Sequence, residues 1–138
     1  MHWIPVLVFA VVAAVFMLLK KSGEISAQAA LAHLKNGASV VDVRSRSEFN
    51  SGHLPEAINL PLDEIETALP RRVPDKNQAM LLYCLSGTRS GVAKVKLKGM
   101  GYPNVFNLGS YNRAESILKQ QNRETNAAAR IKEGSKTP

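Results

Sequence analysis

The chain has 138 residues, enough for one domain of ordinary size and a short additional segment. Its formal charge of +7 is spread unevenly, and residues 22–112 carry ten basic and eight acidic side chains, so this part is nearly neutral. Aromatic residues make up only 6% of the chain, and binding of nucleic acid, which needs a concentrated basic face, is therefore not expected. The single cysteine excludes an internal disulfide and a multi-cysteine metal site.

Residues 3–19 contain no charged side chain and, at the rise of an α-helix, would extend for about 25 Å, so they predict one transmembrane helix within residues 1–21. Lys20 and Lys21 follow this run, and the positive-inside rule then predicts that the domain lies in the cytoplasm. No basic residue precedes the run, which disfavours a signal peptide, but the Ala-Gln-Ala sequence at 27–29 resembles a cleavage site and leaves export to a periplasm as an alternative. A buried core helix is disfavoured because the run has no polar face.

After residue 21, short apolar runs alternate with segments of helical periodicity. The predicted helices cover 25–37, 46–49, 63–69, 92–100 and 111–118, and the predicted strands cover 39–43, 57–60, 79–83 and 104–108. Ser26 and Asp63 are predicted to cap helices, and Pro70 to begin a linker. Strands that alternate with helices indicate an α/β domain over 22–118, a small and mostly parallel sheet with helices on both faces. Residues 119–138 are polar and are predicted to be disordered.

Cys84 lies where a predicted strand ends and a predicted helix begins. At the carboxyl edge of a parallel sheet, a turn that leads into a helix presents unpaired N–H groups and the positive end of the helix dipole. Both stabilise a thiolate, and Arg89 brings a positive charge close by. An isolated cysteine is more often an inert buried thiol, but the surrounding Gly, Ser, Thr and Arg residues favour a reactive one.

Six short motifs in a fixed order, within residues 24–118, resemble those of single-domain rhodaneses. They are Val-Asp-Val-Arg (41–44), Ser-Glu-Phe (47–49), Gly-His-Leu-Pro (52–55), Ala-Ile-Asn-Leu-Pro (57–61), Tyr-Cys-Leu-Ser-Gly-Thr-Arg-Ser (83–90) and Gly-Tyr-Pro-Asn-Val (101–105). The resemblance implies a five-stranded α/β domain in which Cys84 takes a sulfane sulfur from a donor, holds it as a persulfide and passes it to an acceptor. It implies no cofactor, a small-molecule donor such as thiosulfate or a persulfide, and cyanide, a thiol or a protein as the acceptor.

The loop that follows Cys84 is predicted to hold the sulfur anion. The thiolate and the persulfide are both negatively charged, so each half of the reaction needs N–H donors around one sulfur-sized site. Gly87 permits backbone conformations closed to other residues, and hydroxyl groups of the loop can add hydrogen bonds. The predicted anion-binding residues are Leu85, Ser86, Gly87, Thr88, Arg89 and Ser90.

Three charged residues match positions of the same family and are expected to support the loop rather than to act as acid or base: Asp42, Arg44 and Glu48. Arg89 is expected either to add positive charge to the loop or to pair with Asp42. His53, in the Gly-His motif, is expected to be a hydrogen-bonded scaffold residue. No metal site is predicted, because no histidine has partners at ligand spacing.

Two other functions stay open. Cysteine-dependent phosphatases and arsenate reductases resemble Cys-x-x-x-x-x-Arg, whereas Arg89 comes one position earlier here, and the shorter loop fits one sulfur atom better than a phosphate. The other alternative is a catalytically idle rhodanese-like module that binds a partner at a membrane.

The chain also departs from the family pattern in two places. Gly-Ser-Tyr-Asn at 109–112 stands where many relatives have two glycines and later a tryptophan. Leu85 and Ser86 stand where thiosulfate-preferring members often have a basic residue, so a thiol persulfide is an equally suitable donor. Since the chain has no second cysteine, the acceptor of the persulfide sulfur must come from outside it.

Overall fold

The computed structural model describes residues 2–135 and contains six helices and four strands in that range. The helices are α1 (Ile4–Ser22), α2 (Ala27–Lys35), α3 (Arg46–Ser51), α4 (Ile65–Arg72), α5 (Thr88–Gly99) and α6 (Tyr111–Gly134). The strands are β1 (Ser39–Asp42), β2 (Ile58–Asn59), β3 (Met80–Cys84) and β4 (Val105–Ser110). The alternation of strands and helices predicted from the sequence is confirmed.

All strand pairs are parallel, and the order across the sheet is β2-β1-β3-β4. β3 occupies the interior of the sheet and all five of its residues are buried, as its unbroken apolar sequence indicates. The expected five strands are wrong, since the described residues form four. A single parallel bridge between Glu24 and Asn107 lies at the β4 edge, but it is one residue long and does not continue as a strand.

Helices pack on both faces of the sheet, as predicted, because successive side chains of each strand point to opposite faces. On one face α4 and α5 place Ile65, Leu69, Ala93 and Leu97 against Val41 and Leu82. On the other face α2 and α6 place Leu31, Leu34, Ala114 and Ile117 against Val40 and Leu81. The two apolar layers fix β1 and β3, and the carboxyl ends of these strands carry the predicted site residues.

The ends of α4 differ from the sequence prediction. Its N-cap residue is Glu64, not Asp63, and no side chain caps the helix. Pro70 lies inside the helix instead of beginning a linker. Proline removes one helical hydrogen bond, but Leu69 is fully buried and its carbonyl accepts a bond from Val73 N at 2.7 Å, so packing keeps the last turn helical.

The prediction of a disordered tail from residue 119 is also wrong for the described residues, because α6 continues to Gly134. Polar contacts along the helix replace the missing apolar face: Glu115 pairs with Lys119 one turn later, and Gln120 donates to Glu124 at 3.1 Å. Glu124 also pairs with Lys35 of α2 at 2.9 Å. Residues 136–138 of the predicted tail lie outside the described residues.

The first helix, α1, exposes large apolar side chains on all its sides, with exposed fractions between 48% for Val15 and 76% for Phe9. The predicted transmembrane helix is nevertheless not supported. Among residues 2–135, no helix combines the length and the apolar character needed to cross a membrane.

Candidate active site

The candidate site is the short connection between β3 and α5. β3 ends at Cys84 and α5 begins at Thr88, so only three residues separate the cysteine from the helix. The predicted helix began at Val92, and α5 therefore starts inside the loop that the sequence predicted. The free N–H groups of the first turn of α5 consequently lie beside the cysteine, together with the positive end of the helix dipole.

The sulfur of Cys84 lies within hydrogen-bond distance of two donor groups of this loop. Gly87 N lies 3.0 Å from Sγ and Ser90 Oγ lies 3.5 Å from it. Burial alone raises the pKa of the Cys84 thiol, but bonds from the Ser90 hydroxyl and from the N–H groups of Ser90, Ser86 and Gly87 outweigh burial and lower the pKa below its ordinary value. Although the residue is fully buried, its sulfur therefore faces donors that favour the thiolate.

Gly87 is the residue that shapes the loop. It caps α5 in the left-handed conformation, with φ of +89°. A Cβ atom at this position would lie 3.0 Å from Glu24 Oε1 and 3.3 Å from the backbone of Gly109. Both the conformation and the space around it thus require glycine.

Leu85, Ser86 and Thr88, the other uncharged residues of the loop, are exposed. Leu85 is 62% exposed, and the hydroxyls of Ser86 and Thr88 lie 3.4 Å from each other. Ser90 is thus the residue whose hydroxyl contacts the sulfur, whereas the predicted contribution of Thr88 is not seen. Leu85 also anchors the far rim of the site, because its carbonyl accepts a bond from Tyr111 N at 3.3 Å.

Arg89 pairs with Glu48 and not with Asp42. Its two terminal nitrogens lie 2.7 and 2.9 Å from the carboxylate oxygens of Glu48, which makes a bidentate ion pair. Glu48 also accepts a bond from Ser45 N, and Ser45 Oγ in return accepts from Glu48 N, a capping box at the start of α3. The bonds from Arg89 and then from Ser45 lower the pKa of Glu48 to about 2.

The Arg89–Glu48 pair should make stability depend on acid pH. The folded-state pKa of Glu48 lies below its ordinary value, so the stabilisation is complete above pH of about 4.5 and is lost as the pH falls towards 2. Glu48→Gln keeps one oxygen to accept from Ser45 N, removes the negative charge, and replaces the oxygen that accepts from the second nitrogen of Arg89 by an NH2 group. At pH 7 we expect the variant to lose about 1 kcal/mol or less, because both side chains are about one-third exposed. The difference between variant and wild-type midpoints in urea should shrink as the pH is lowered through this range; a constant difference would contradict the assignment.

Asp42 and Arg44 form a second, buried ion pair at the end of β1. Arg44 Nε lies 3.1 Å from both carboxylate oxygens, and its Nη2 lies 2.7 Å from Oδ2 and from the carbonyl oxygen of Gly52. The guanidinium also lies over the ring of Tyr111, 5.0 Å from its centre. This pair ties the end of β1 to the rim of the site, and the supporting role expected for both residues stays a prediction.

Several residues near the site were missed by the sequence analysis. Tyr83 Oη accepts from Leu54 N at 3.1 Å, and burial raises the pKa of this tyrosine well above its usual range. Glu24 packs over Gly87 and Gly109, and Asn107 bonds to the loop. The signal for Asn107 was its polar side chain in an apolar strand, but no local pattern could indicate its partners.

His53 and the metal prediction concern the periphery of the site. His53 Nδ1 lies 3.0 Å from the carbonyl oxygen of Phe49, and the two rings stack. This contact agrees with a scaffold role, which stays a prediction. In the part of the chain that the structure describes, no group of three His, Cys, Asp or Glu side chains is placed to hold a metal ion.

The fold and the site together define a class: an α/β domain that presents a cysteine sulfur to the amino-terminal end of a helix. A family model described as a rhodanese-like domain matches residues 26–115. The chain therefore belongs to the rhodanese-like domain family, and the family predicted from the six motifs is confirmed.

Individual relatives agree with this family. The chain is 42% identical over 69 residues to thiosulfate sulfurtransferase PspE of Escherichia coli (strain K12). The aligned region covers 50% of this chain and 66% of PspE. The chain is also 40% identical over 72 residues to adenylyltransferase and sulfurtransferase UBA4 of Candida albicans. This aligned region covers 48% of the chain and only 16% of UBA4. The structure of human single-domain sulfurtransferase TSTD1 superposes with a TM-score of 0.59 at 29% identity, covering 70% of this chain and 96% of that one.

Proposed function

We propose that the protein is a sulfurtransferase with Cys84 as its nucleophile. The observation that carries the proposal is the short contact between Sγ and Gly87 N, in a loop that lowers the pKa of the thiol. The similarity to PspE and TSTD1, both named as sulfurtransferases, supports the same reaction class.

In the proposed first step, the Cys84 thiolate attacks the terminal sulfur of the donor. A new S–S bond forms, the bond between that sulfur and the rest of the donor breaks, and the leaving group departs with the electron pair, as sulfite from thiosulfate or as a thiolate from a persulfide. In the second step a nucleophilic acceptor, cyanide or a thiolate, attacks the outer sulfur, and the Cys84 thiolate is the leaving group. The thiolate and the persulfide are both anions, so the N–H groups of the loop stabilise each of them.

The charge of the loop bears on whether thiosulfate or a persulfide is the donor. Arg89, the cation of the loop, is neutralised by Glu48, and Leu85 and Ser86 carry no charge. A dianion such as thiosulfate thus finds little unpaired positive charge in the loop itself. We propose that both donors react, and that the rate with thiosulfate falls less with added salt than it would at a basic site.

The same ion pair argues against the phosphatase and arsenate reductase alternatives. A phosphate-binding arginine must direct its guanidinium at the oxygens of the ligand. Arg89 directs both terminal nitrogens at Glu48 instead. Turnover of an aryl phosphate would be needed to revive these alternatives.

The idle binding module is the stronger rival, because Cys84 is fully buried. Intact-mass measurement after incubation with thiosulfate, and separately with a low-molecular-mass persulfide, tests the two functions. Catalysis predicts that the protein gains the mass of one sulfur atom, that Cys84→Ser gains nothing, and that cyanide or a thiol removes the added sulfur. A wild-type protein that gains no sulfur from either donor would establish the idle module.

A protein acceptor is a further part of the proposal. Leu85, next to the nucleophile, is an apolar residue that is 62% exposed at the surface of the loop, where a partner would cover it. UBA4, whose name combines adenylyltransferase and sulfurtransferase, shares this domain. If the acceptor is a protein, a protein thiol should remove the added sulfur from Cys84 at a concentration at which a small thiol does not.

We also propose that α1 attaches the domain to a membrane and that the domain faces the cytoplasm. Large apolar side chains exposed around α1 are unfavourable in water, and those of Phe16 and Leu19 border a groove of about 510 Å³ beside the cysteine loop. Lys20 and Lys21 follow the apolar run, which favours the cytoplasmic side. The full chain should sediment with membranes and a fragment of residues 24–138 should not, and a reporter fused after residue 138 should be active only in the cytoplasm. A full chain found in the soluble fraction would contradict attachment, and an active exported reporter would contradict the orientation.

A further inference from the structure

The side chain of Asn107, in β4, joins three parts of the cysteine loop and its surroundings. Its Nδ2 donates to the carbonyl oxygen of Gly87 at 3.1 Å. Its Oδ1 accepts from Ser90 Oγ at 2.7 Å and from Gly109 N at 3.0 Å. The residue is buried, so these bonds are made away from solvent and each is costly to lose.

The orientation of this amide is fixed by its neighbours. Gly109 N can only donate and the carbonyl of Gly87 can only accept, so Oδ1 must face Gly109 and Nδ2 must face Gly87. Ser90 therefore meets an acceptor on Asn107, and its hydroxyl must be the donor in the 2.7 Å contact.

The hydroxyl of Ser90 has one proton and two neighbours that can accept it. Asn107 Oδ1 is at 2.7 Å and Cys84 Sγ is at 3.5 Å. When Cys84 is a thiol, its S–H can donate to Ser90 Oγ, and the hydroxyl proton stays on Asn107. When the sulfur is an anion it can only accept, and the hydroxyl proton is then better placed towards the sulfur. Asn107 Oδ1 retains the bond from Gly109 N in that state, so no buried acceptor is left without a donor.

We propose that Asn107 is a positioning residue for Cys84, acting through the single hydroxyl proton of Ser90 and through the carbonyl of Gly87. It holds Ser90 ready to donate to the sulfur anion, and it holds Gly87 in the left-handed conformation that directs its N–H at Sγ. Asn107 itself does not touch the sulfur. The inference rests on the sulfur transfer proposed above, but its test does not need turnover.

The test is titration of the Cys84 thiolate, followed by its ultraviolet absorbance, in the full chain with Cys84→Ser as the blank. Asn107→Asp keeps the shape of the side chain. Its carboxylate holds the Ser90 proton more strongly, repels the carbonyl of Gly87 and adds negative charge, and all three effects raise the thiol pKa. We expect a rise of about one unit or more, which is about a tenfold loss of thiolate at a pH below the pKa.

Asn104→Asp is the matched control, because this substitution introduces the same charge at a residue just before β4. The side-chain amide of Asn104 donates to the carbonyl oxygen of Asn77 and not to the cysteine loop. This control should leave the thiol pKa unchanged. The charged groups around the loop are the same in all variants, so they do not contribute to the difference: Glu24, Asp42, Glu48, Arg89 and Arg113.

A second comparison separates positioning from charge alone. In a Ser90→Ala background the part of the shift that passes through the hydroxyl is absent, so Asn107→Asp should raise the thiol pKa by less than it does in the wild-type background. Equal shifts in the two backgrounds would overturn the positioning role. So would an Asn107→Asp protein that melts at a lower temperature but keeps the wild-type thiol pKa, since this is the result of a purely structural residue. The pKa shifts can appear as stated while neither the wild-type protein nor any variant takes up sulfur. In that case the proposed sulfur transfer fails, and the positioning role of Asn107 stands.

Discussion

Gly87→Ala is expected to slow the transfer of sulfur to Cys84 by about 100-fold and to lower the free energy of unfolding by about 1–3 kcal/mol. The loss of rate follows from the geometry of the anion site, because Gly87 N is the backbone donor at 3.0 Å from Sγ. Alanine disfavours φ of +89°, and its Cβ would meet Glu24 Oε1 at 3.0 Å and the Gly109 backbone at 3.3 Å. The loop must move to relieve these contacts, and the N–H group then leaves the sulfur.

Gly37→Ala is the matched control for this prediction. Gly37 has φ of +87°, nearly the same as Gly87, but a Cβ atom there meets nothing within 4 Å, and the residue follows α2, away from the loop. This variant should lose stability through backbone strain alone and keep the wild-type rate. Rates are measured from the gain of one sulfur in intact mass over time, and stability from urea midpoints. A Gly87→Ala protein that reacts at the rate of Gly37→Ala would show that the Gly87 N–H does not stabilise the anion.

The elements of this fold that the sequence predicted correctly are those whose signal is local. The apolar run of β3 and the Ser26 cap of α2 depend on a few adjacent residues, and both are found where they were expected. The start of α5 was placed too late because Thr88 to Gly91 has no apolar periodicity. Its helical conformation comes from Gly87 as a left-handed cap, which the pattern of apolar residues does not reveal.

Contacts between residues far apart in the chain could not be predicted in the same way. The sequence analysis considered Asp42 as the acidic partner of Arg89, and only the position of α3 beside the loop decides that Glu48 is its partner. The single bridge at Glu24 likewise depends on where the chain before α2 meets β4. The helical conformation of residues 119–134 was missed because stabilisation by Lys35 and by pairs within the helix leaves no hydrophobic pattern.

The residues of the site fall into two groups. The sequence indicated the function of the first group and not that of the second. Cys84, Gly87 and Ser90 lie three residues apart, from the end of β3 to the first turn of α5, so their type and spacing alone indicated an anion site. Asn107 and Glu24 reach the same loop from a neighbouring strand and from the segment before α2. Their side chains hold the loop in shape, and such support is visible only once the sheet has brought the segments together.

Asp42→Ala is expected to lower the free energy of unfolding by about 3–5 kcal/mol, the usual cost of leaving one partner of a buried ion pair alone. Asp42 is fully buried and Arg44 is 7% exposed, so water cannot replace the lost carboxylate. The variant also removes the acceptor of Arg44 N, which lies 2.9 Å from Oδ1. Urea unfolding at pH 7 measures the change.

The size of this loss distinguishes a buried pair from an exposed one. Glu66→Ala is the control, because Glu66 pairs with Lys96 at 3.0 Å while both side chains are at least 40% exposed, and its loss should cost about 1 kcal/mol or less. Replacing the pair as a whole, with Asp42→Leu and Arg44→Met together, should recover part of the stability lost in Asp42→Ala, since no unpaired charge then remains. An Asp42→Ala protein that is no less stable than Glu66→Ala would contradict this prediction. The bond from Arg44 to the carbonyl oxygen of Gly52 would then be sufficient to stabilise the end of β1.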